Sequence, residues 1–311
     1  MISQRLSPGA PARPTLFLCG GLQSSGSTLV SWCFLQRADT NGVLDAENDL
    51  LPAIDPAIGD PFVWYKTTIS CFRLRELVDY YRDQDWEVRP LLVIRDLREC
   101  WVSLQKKPYA HNGITAEDPP FRMRVRRFLE DWDLFRRMGW PTLRYESLLE
   151  APEATLRDAC RQLQLAWDPA MLDWPKQQSQ IADINNGNRN FWITRGKSLT
   201  EAIAQYQSHR GARALPDADL SWLNGQFHDF NRENGYPAWE NRSSTVAGPR
   251  VESTPCFEAT RRYRWETRHK PLRWLYSMLG ITNRNLIQRR SSKIQRERTE
   301  PIPTTAARKA A

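Results

Sequence analysis

Thr15-Leu-Phe-Leu-Cys-Gly-Gly-Leu-Gln-Ser-Ser-Gly-Ser-Thr28 is the stretch that decides the fold. Its opening, Thr15–Cys19, is a short apolar run that stops at Gly20-Gly21, as a buried strand of a parallel sheet does. From Ser27 to Gln36 the apolar residues Leu29, Val30, Cys33 and Phe34 recur at helical spacing. The segment therefore predicts a strand, a glycine loop and a helix in succession. Glycines let successive backbone N–H groups turn toward one anion. The helix beginning near Ser27 adds its positive end. Ser24, Ser25, Ser27 and Thr28 supply hydroxyl donors.

The same alternation continues along the chain. Val43–Ala46, Phe62–Lys66, Leu91–Ile94 and Thr142–Tyr145 read as strands. Arg73–Tyr81, Leu97–Gln105, Pro120–Met138 and Ala154–Leu163 read as helices, as does Ser221–Asn234 before Gly235-Tyr236-Pro237. This order predicts an α/β fold, a P-loop-like three-layer domain with a central parallel β-sheet flanked by helices. Such sheets bind ligands at the carboxyl ends of their strands. The Gln-, Asn- and Asp-rich stretch 167–190 reads as loop or lid. The expected organisation is a flexible leader over 1–14, the α/β domain over 15–239 and a basic extension over 240–311. That extension is expected to be partly disordered, with an amphipathic helix within 259–290.

With 311 residues and 41% hydrophobic composition, the chain is long enough for one substantial core. Its net charge of +8 comes from 44 Lys and Arg against 36 Asp and Glu, and 261–298 is especially dense in Arg. That balance favours anionic partners such as nucleotides, polyanions or a lipid surface, without specific nucleic-acid binding. Leu272–Arg290 interleaves Trp, Leu, Ile and Met with Arg, which suits peripheral membrane or polyanion contact. Cys19, Cys33, Cys71, Cys100, Cys160 and Cys256 form no CxxC pair and no zinc spacing. Reduced thiols and an N-terminus without a secretory pattern predict a cytoplasmic protein, peripheral to the inner membrane surface if the tail docks there.

Gly21 and Gly26 have the spacing of the Walker A loop, and Thr28 follows, but Ser27 stands where that loop carries Lys. A second anchor lies in Leu91–Leu104, LLVIRDLRECWVSL. There a buried strand ends in Arg95 and a helix follows that carries Ser103, eight residues on. Arg offers a planar fork for a phosphate, and Ser adds a hydroxyl donor. Together the two anchors resemble the sulfotransferase superfamily, which uses 3′-phosphoadenosine 5′-phosphosulfate (PAPS) and releases 3′,5′-ADP (PAP). Ser25-Gly26-Ser27-Thr28 is similar to that family's 5′-phosphosulfate loop, and Arg95 with Ser103 to its 3′-phosphate element. Leu143–Leu156 and Phe227–Pro237 resemble two later joins of the family, and Arg195-Gly196-Lys197 resembles its C-terminal cofactor loop. The resemblance spans roughly residues 15–237.

What it implies is a PAPS-dependent sulfotransferase acting on a hydroxyl (or amine) acceptor such as a saccharide or lipid-linked glycan, with no metal. Cofactor contacts are then expected from Gly21, Ser24, Ser25, Gly26, Ser27, Thr28, Arg95, Ser103, Arg195, Gly196 and Lys197. Two departures stand out. Ser24 sits where many members have Lys or Arg, and Lys66-Thr67 is followed by Thr68 where the phenol and steroid enzymes carry His. The chain is therefore closer to the bacterial or carbohydrate-type branches. The carboxylates after the second strand are its candidate bases: Glu47 first, then Asp45, then Asp49. His111 is a further candidate, and Lys66 is a candidate for the missing cation. Two other readings stay open. One is a P-loop kinase or ATPase with Asp96 as its magnesium acid; the other is a non-catalytic nucleotide-binding protein.

Overall fold

All seven residues of β1 (Thr15–Gly21) are buried, because strands pair on both of its edges and helices cover both of its faces. The computed structural model describes residues 14–46, 62–69, 72–105, 119–177, 180–181, 197–208 and 217–237. In it β1 runs parallel to β3 (Phe62–Thr67) on one side and to β4 (Glu87–Ile94) on the other. β2 (Thr40–Ala46) lies beyond β3, and β5 (Thr142–Arg144) lies beyond β4. The order is β2-β3-β1-β4-β5, and each of these pairs is parallel. The predicted α/β architecture is the one observed.

Successive side chains of a strand point to opposite faces. Leu16 and Leu18 of β1 enter one core with Leu92 and Ile94 of β4. Phe17 and Cys19 enter the other with Leu91 and Val93. The first core is closed by α2 (Leu74–Arg82), α3 (Leu97–Gln105), α4 (Pro119–Met138) and α9 (Asp217–Glu233). The second is closed by α1 (Ser27–Leu35), α5 (Tyr145–Glu150), α6 (Pro152–Gln162), α7 (Ala170–Asp173) and α8 (Leu199–Ser208). The crossovers from β1 and from β3 set out in opposite directions across the sheet, so right-handed connections place α1 and α2 on opposite faces. α1 is apolar almost all round and buried accordingly, with Phe34 stacked on Trp64 at 4.1 Å between ring centres.

The start of α2 is held from α4. The Asp131 carboxylate accepts the N–H of Leu74 at 2.7 Å and of Arg75 at 3.3 Å. Glu76 reaches back to the Arg73 N–H at 2.9 Å. Leu74 in turn lies against Gly20, directly behind the glycine loop.

Several boundaries differ from the sequence reading. β4 begins at Glu87, not Leu91, because Glu87–Pro90 pair with Thr15–Leu18 while exposing polar side chains. β2 begins at Thr40 and α9 at Asp217. Tyr145 opens α5 and does not end β5. The stretch read as loop or lid contains the short α7. α8 had no clear signal, since among its described side chains it buries only the narrow stripe Leu199, Ala202 and Ile203. Most of the expected leader (1–13), and residues 238–311 with the basic extension, lie outside the described residues. Among the described residues no helix is long and apolar enough to cross a membrane.

Candidate functional site

The chain leaving β1 travels toward β2, and the chain leaving β4 travels toward β5. Between those diverging connections a crevice opens at the carboxyl ends of the two strands, where α/β sheets bind ligands. The loop 22–26 and the pair Arg95-Asp96 meet there.

The loop folds tightly. The Ser25 N–H bonds the Leu22 carbonyl at 2.9 Å, and Ser24 and Gly26 take left-handed backbone angles, φ 69° and 91°. Gly26 caps α1 without any side-chain cap, and no acidic residue lies in the first turn. The first N–H groups of α1 therefore have no acceptor within the helix, and its positive end is not offset. A Cβ on Gly21 would overlap Ser25 Oγ and the Val93 carbonyl; a Cβ on Gly26 would overlap the Tyr145 ring. Ser25 is 1% exposed, and its Oγ has no hydrogen-bond partner among the described residues. A buried polar group left so costs about 1–3 kcal/mol. A bound anion drawing the loop inward would remove that cost. Ser27 is buried and Thr28 half-buried on the same turn.

Arg95, 7% exposed, braces this loop. Its Nη1 donates to the Ser24 carbonyl at 2.9 Å, and its guanidinium carbon lies 4.8 Å from the Tyr145 ring centre. Nη2 is 3.6 Å from Glu99 Oε2. Ser103 lies one turn beyond Glu99 on the same ridge of α3, half-buried and without a hydrogen-bond partner among the described residues. Asp96 serves the backbone. Its Oδ1 accepts the Arg98 N–H at 2.9 Å, and its own N–H donates to Glu146 Oε1 at 2.9 Å. Burial raises the Asp96 pKa, against the Arg98 hydrogen bond and charge. Glu146 Oε2 accepts the Tyr236 hydroxyl at 3.0 Å, so the end of β4, α5 and the segment after α9 are tied together.

Lys66 stands opposite Cys19 in the β3–β1 register, and so on the α1 side of the sheet. It is 3% exposed, and its Nζ donates to Thr68 Oγ1 at 3.3 Å. The Ile69 N–H bonds the Gly21 carbonyl at 3.0 Å, which joins the turn after β3 to the glycine loop. Asp45 is the penultimate residue of β2, at the same end of the sheet. That strand is two places from β1, about 10 Å at ordinary strand spacing. The Asp45 side chain lies outside the described parts, as do Glu47, Asp49, His111, Arg195 and Gly196. Lys197 is exposed just before α8, with its N–H on Glu201 Oε2 at 2.8 Å. No contact among the described residues joins it to the loop or to Arg95.

Two residues at the site were not picked out from the sequence. Tyr145 packs against Gly26 and under Arg95. Its Tyr-Glu pair was visible as part of a family-like join, but not as a wall of the crevice. Arg124 of α4 donates from Nη1 to Gln23 Oε1 at 2.9 Å. It is one of four Arg between 122 and 127, and nothing in its spacing distinguishes it.

No protein-family model matches the chain, and no curated protein matches it. The chain is similar to the sulfotransferase domain of the Synechococcus PCC 7002 olefin synthase, at 14% identity over 75% of this chain and 99% of that one, with a TM-score of 0.47. It is similar to the sulfotransferase domain from the curacin biosynthetic pathway, at 13% identity over 73% and 99%, with a TM-score of 0.48. It is also similar to mouse sulfotransferase SULT7A1 complexed with PAP, at 10% identity over 82% and 90%, with a TM-score of 0.40.

Proposed function

We propose that the chain is a PAPS-dependent sulfotransferase that transfers a sulfuryl group to the hydroxyl of an acceptor. The observation that carries this reading is the anion cradle: an uncapped α1, a buried Ser25 hydroxyl without a partner among the described residues, and Arg95 against the loop. The residues present fit such a cosubstrate. Gly21 and Gly26 leave no room for a side chain, and Ser25, Ser27, Thr28 and the α1 amides would hold its 5′ anion. Arg95 and Ser103 would hold the 3′-phosphate. When bound, PAPS supplies an activated sulfuryl group on a phosphate leaving group.

The chain's own contribution is then position and charge. The tight turn 22–26 and the uncapped start of α1 supply that charge from the backbone. Lys66 adds a buried cation on the α1 side of the sheet. Asp45, the penultimate residue of β2, or Glu47, which follows that strand in the sequence, would accept the proton of the acceptor hydroxyl, an effect worth about 10²–10⁴-fold in rate. Asp96, the acid a kinase would need for magnesium, has Oδ1 committed to the Arg98 N–H. A cytoplasmic site of action belongs to the same proposal.

Calorimetry with PAP, with ADP, and with ATP plus Mg²⁺ tests this reading. Metal-independent micromolar binding of PAP, unmatched by ATP and lost in Arg95→Ala, is the expected result. Tight ATP–Mg²⁺ binding indifferent to the 3′-phosphate would replace it with the kinase reading. PAP binding without turnover on any hydroxyl acceptor would leave a nucleotide-binding protein.

A further inference from the structure

The charges around the glycine loop are not equivalent. Arg95 is held by the Ser24 carbonyl, the Tyr145 ring and Glu99. Lys66 is held by Thr68. Arg124 differs from both. It is half-buried, its hydrogen bond goes to the neutral side-chain amide of Gln23, and no carboxylate pairs with it among the described residues. Among the described residues one of its five N–H donors is engaged, and the guanidinium is charged at any working pH. A partly desolvated cation without an anionic partner is costly unless an anion arrives. Gln23 immediately precedes Ser24, so the bond holds this cation beside the loop at the position whose own side chain is neutral. The rest of the loop is likewise uncharged, Leu22 through Thr28.

We propose that Arg124 is the cationic arm of the loop site, recognising the terminal anionic group of the bound nucleotide, the sulfuryl group on the reading above. The inference rests on that reading and deepens it. α4 reaches the loop from the face opposite α1. The anion would thus be held by the α1 amides on one side and by a guanidinium on the other.

The test is calorimetric binding of PAP and of PAPS to the full chain, wild type against Arg124→Gln and Arg124→Lys. PAP lacks the terminal group, so the ratio of the two affinities reads Arg124 directly. The expected result is that Arg124→Gln weakens PAPS about tenfold or more and leaves PAP within about twofold, as for a lost charge-assisted bond. Arg124→Lys should restore part of the loss. Equal weakening of both ligands, or of neither, overturns the inference while the sulfotransferase reading stands on wild-type PAP binding. Wild-type protein that binds neither ligand overturns both. Unchanged thermal melting of Arg124→Gln separates these outcomes from misfolding.

Discussion

The guanidinium of Arg95 lies over the ring of Tyr145, 4.8 Å from its centre, and the same ring occupies the space that a side chain on Gly26 would need. One aromatic therefore sets both halves of the crevice. It limits how far the loop can move, and it gives Arg95 a surface to lie on while Nη1 holds Ser24. A cation over an aromatic face gains about 0.5–2 kcal/mol.

Replacing Gly26 tests this packing. Gly26→Ala forces a left-handed backbone on a residue with a Cβ, costing about 1–2 kcal/mol before the overlap with Tyr145 is counted. Chemical denaturation should show that loss, and PAP binding should weaken. In Tyr145→Ala the overlap is gone, so the second substitution should cost less than in the wild type. A strictly additive pair would show that Tyr145 does not confine the loop.

Glu99 competes with the proposed 3′-phosphate for Arg95, since its Oε2 stands 3.6 Å from Nη2. Glu99→Gln should therefore tighten PAP several-fold and flatten the salt dependence little. Weaker PAP binding in that variant would mean that Glu99 orients Arg95 and does not compete with the ligand.

Asp131 gives a pH signature to stability. Burial raises its carboxyl from 3.8 to about 7, against the two N–H bonds from α2 and the charge of Arg73, and with Glu76 adding to the rise. The folded chain thus keeps a proton that the unfolded chain releases above pH 3.8. This group's stabilising contribution is complete below pH 3.8 and is lost as pH rises through about 7. Asp131→Asn should remove that slope from the pH dependence of the denaturation midpoint. It should also cost about 0.5–1.5 kcal/mol, because an amide nitrogen cannot accept one of the two bonds.

Tyr236→Phe removes the hydroxyl bonded to Glu146, whose other oxygen holds the Asp96 N–H next to Arg95. A loss of about 1 kcal/mol in stability is expected. PAP affinity should fall only modestly, because Glu146 keeps its bond to Asp96. A loss in binding as large as that of Arg95→Ala would show that the tie after α9 positions Arg95 itself.

Cys19 and Cys33 are fully enclosed, and burial pushes both thiols up to about 12. At pH 8 neither should react with an alkylating reagent until the chain is denatured. Rapid labelling of native protein at either position would contradict the packing of α1 against β1.

The sequence by itself determined the succession of strand, glycine loop and helix, the parallel α/β class and the place of Arg95 at the end of a buried strand. These rest on local causes: apolar periodicity, glycine's freedom at a turn, and a charge at the end of a buried strand. Polar residues at strand starts, as at Glu87 and Arg89, concealed boundaries because their burial depends on neighbours. Only the tertiary structure decided which residues complete the crevice. Tyr145 reaches Gly26 across more than one hundred residues, and Arg124 lies 101 residues from Gln23. No local pattern encodes either contact. The sheet order brings β5 beside β4 and carries α4 over the opposite face from α1, and proximity follows from that topology alone.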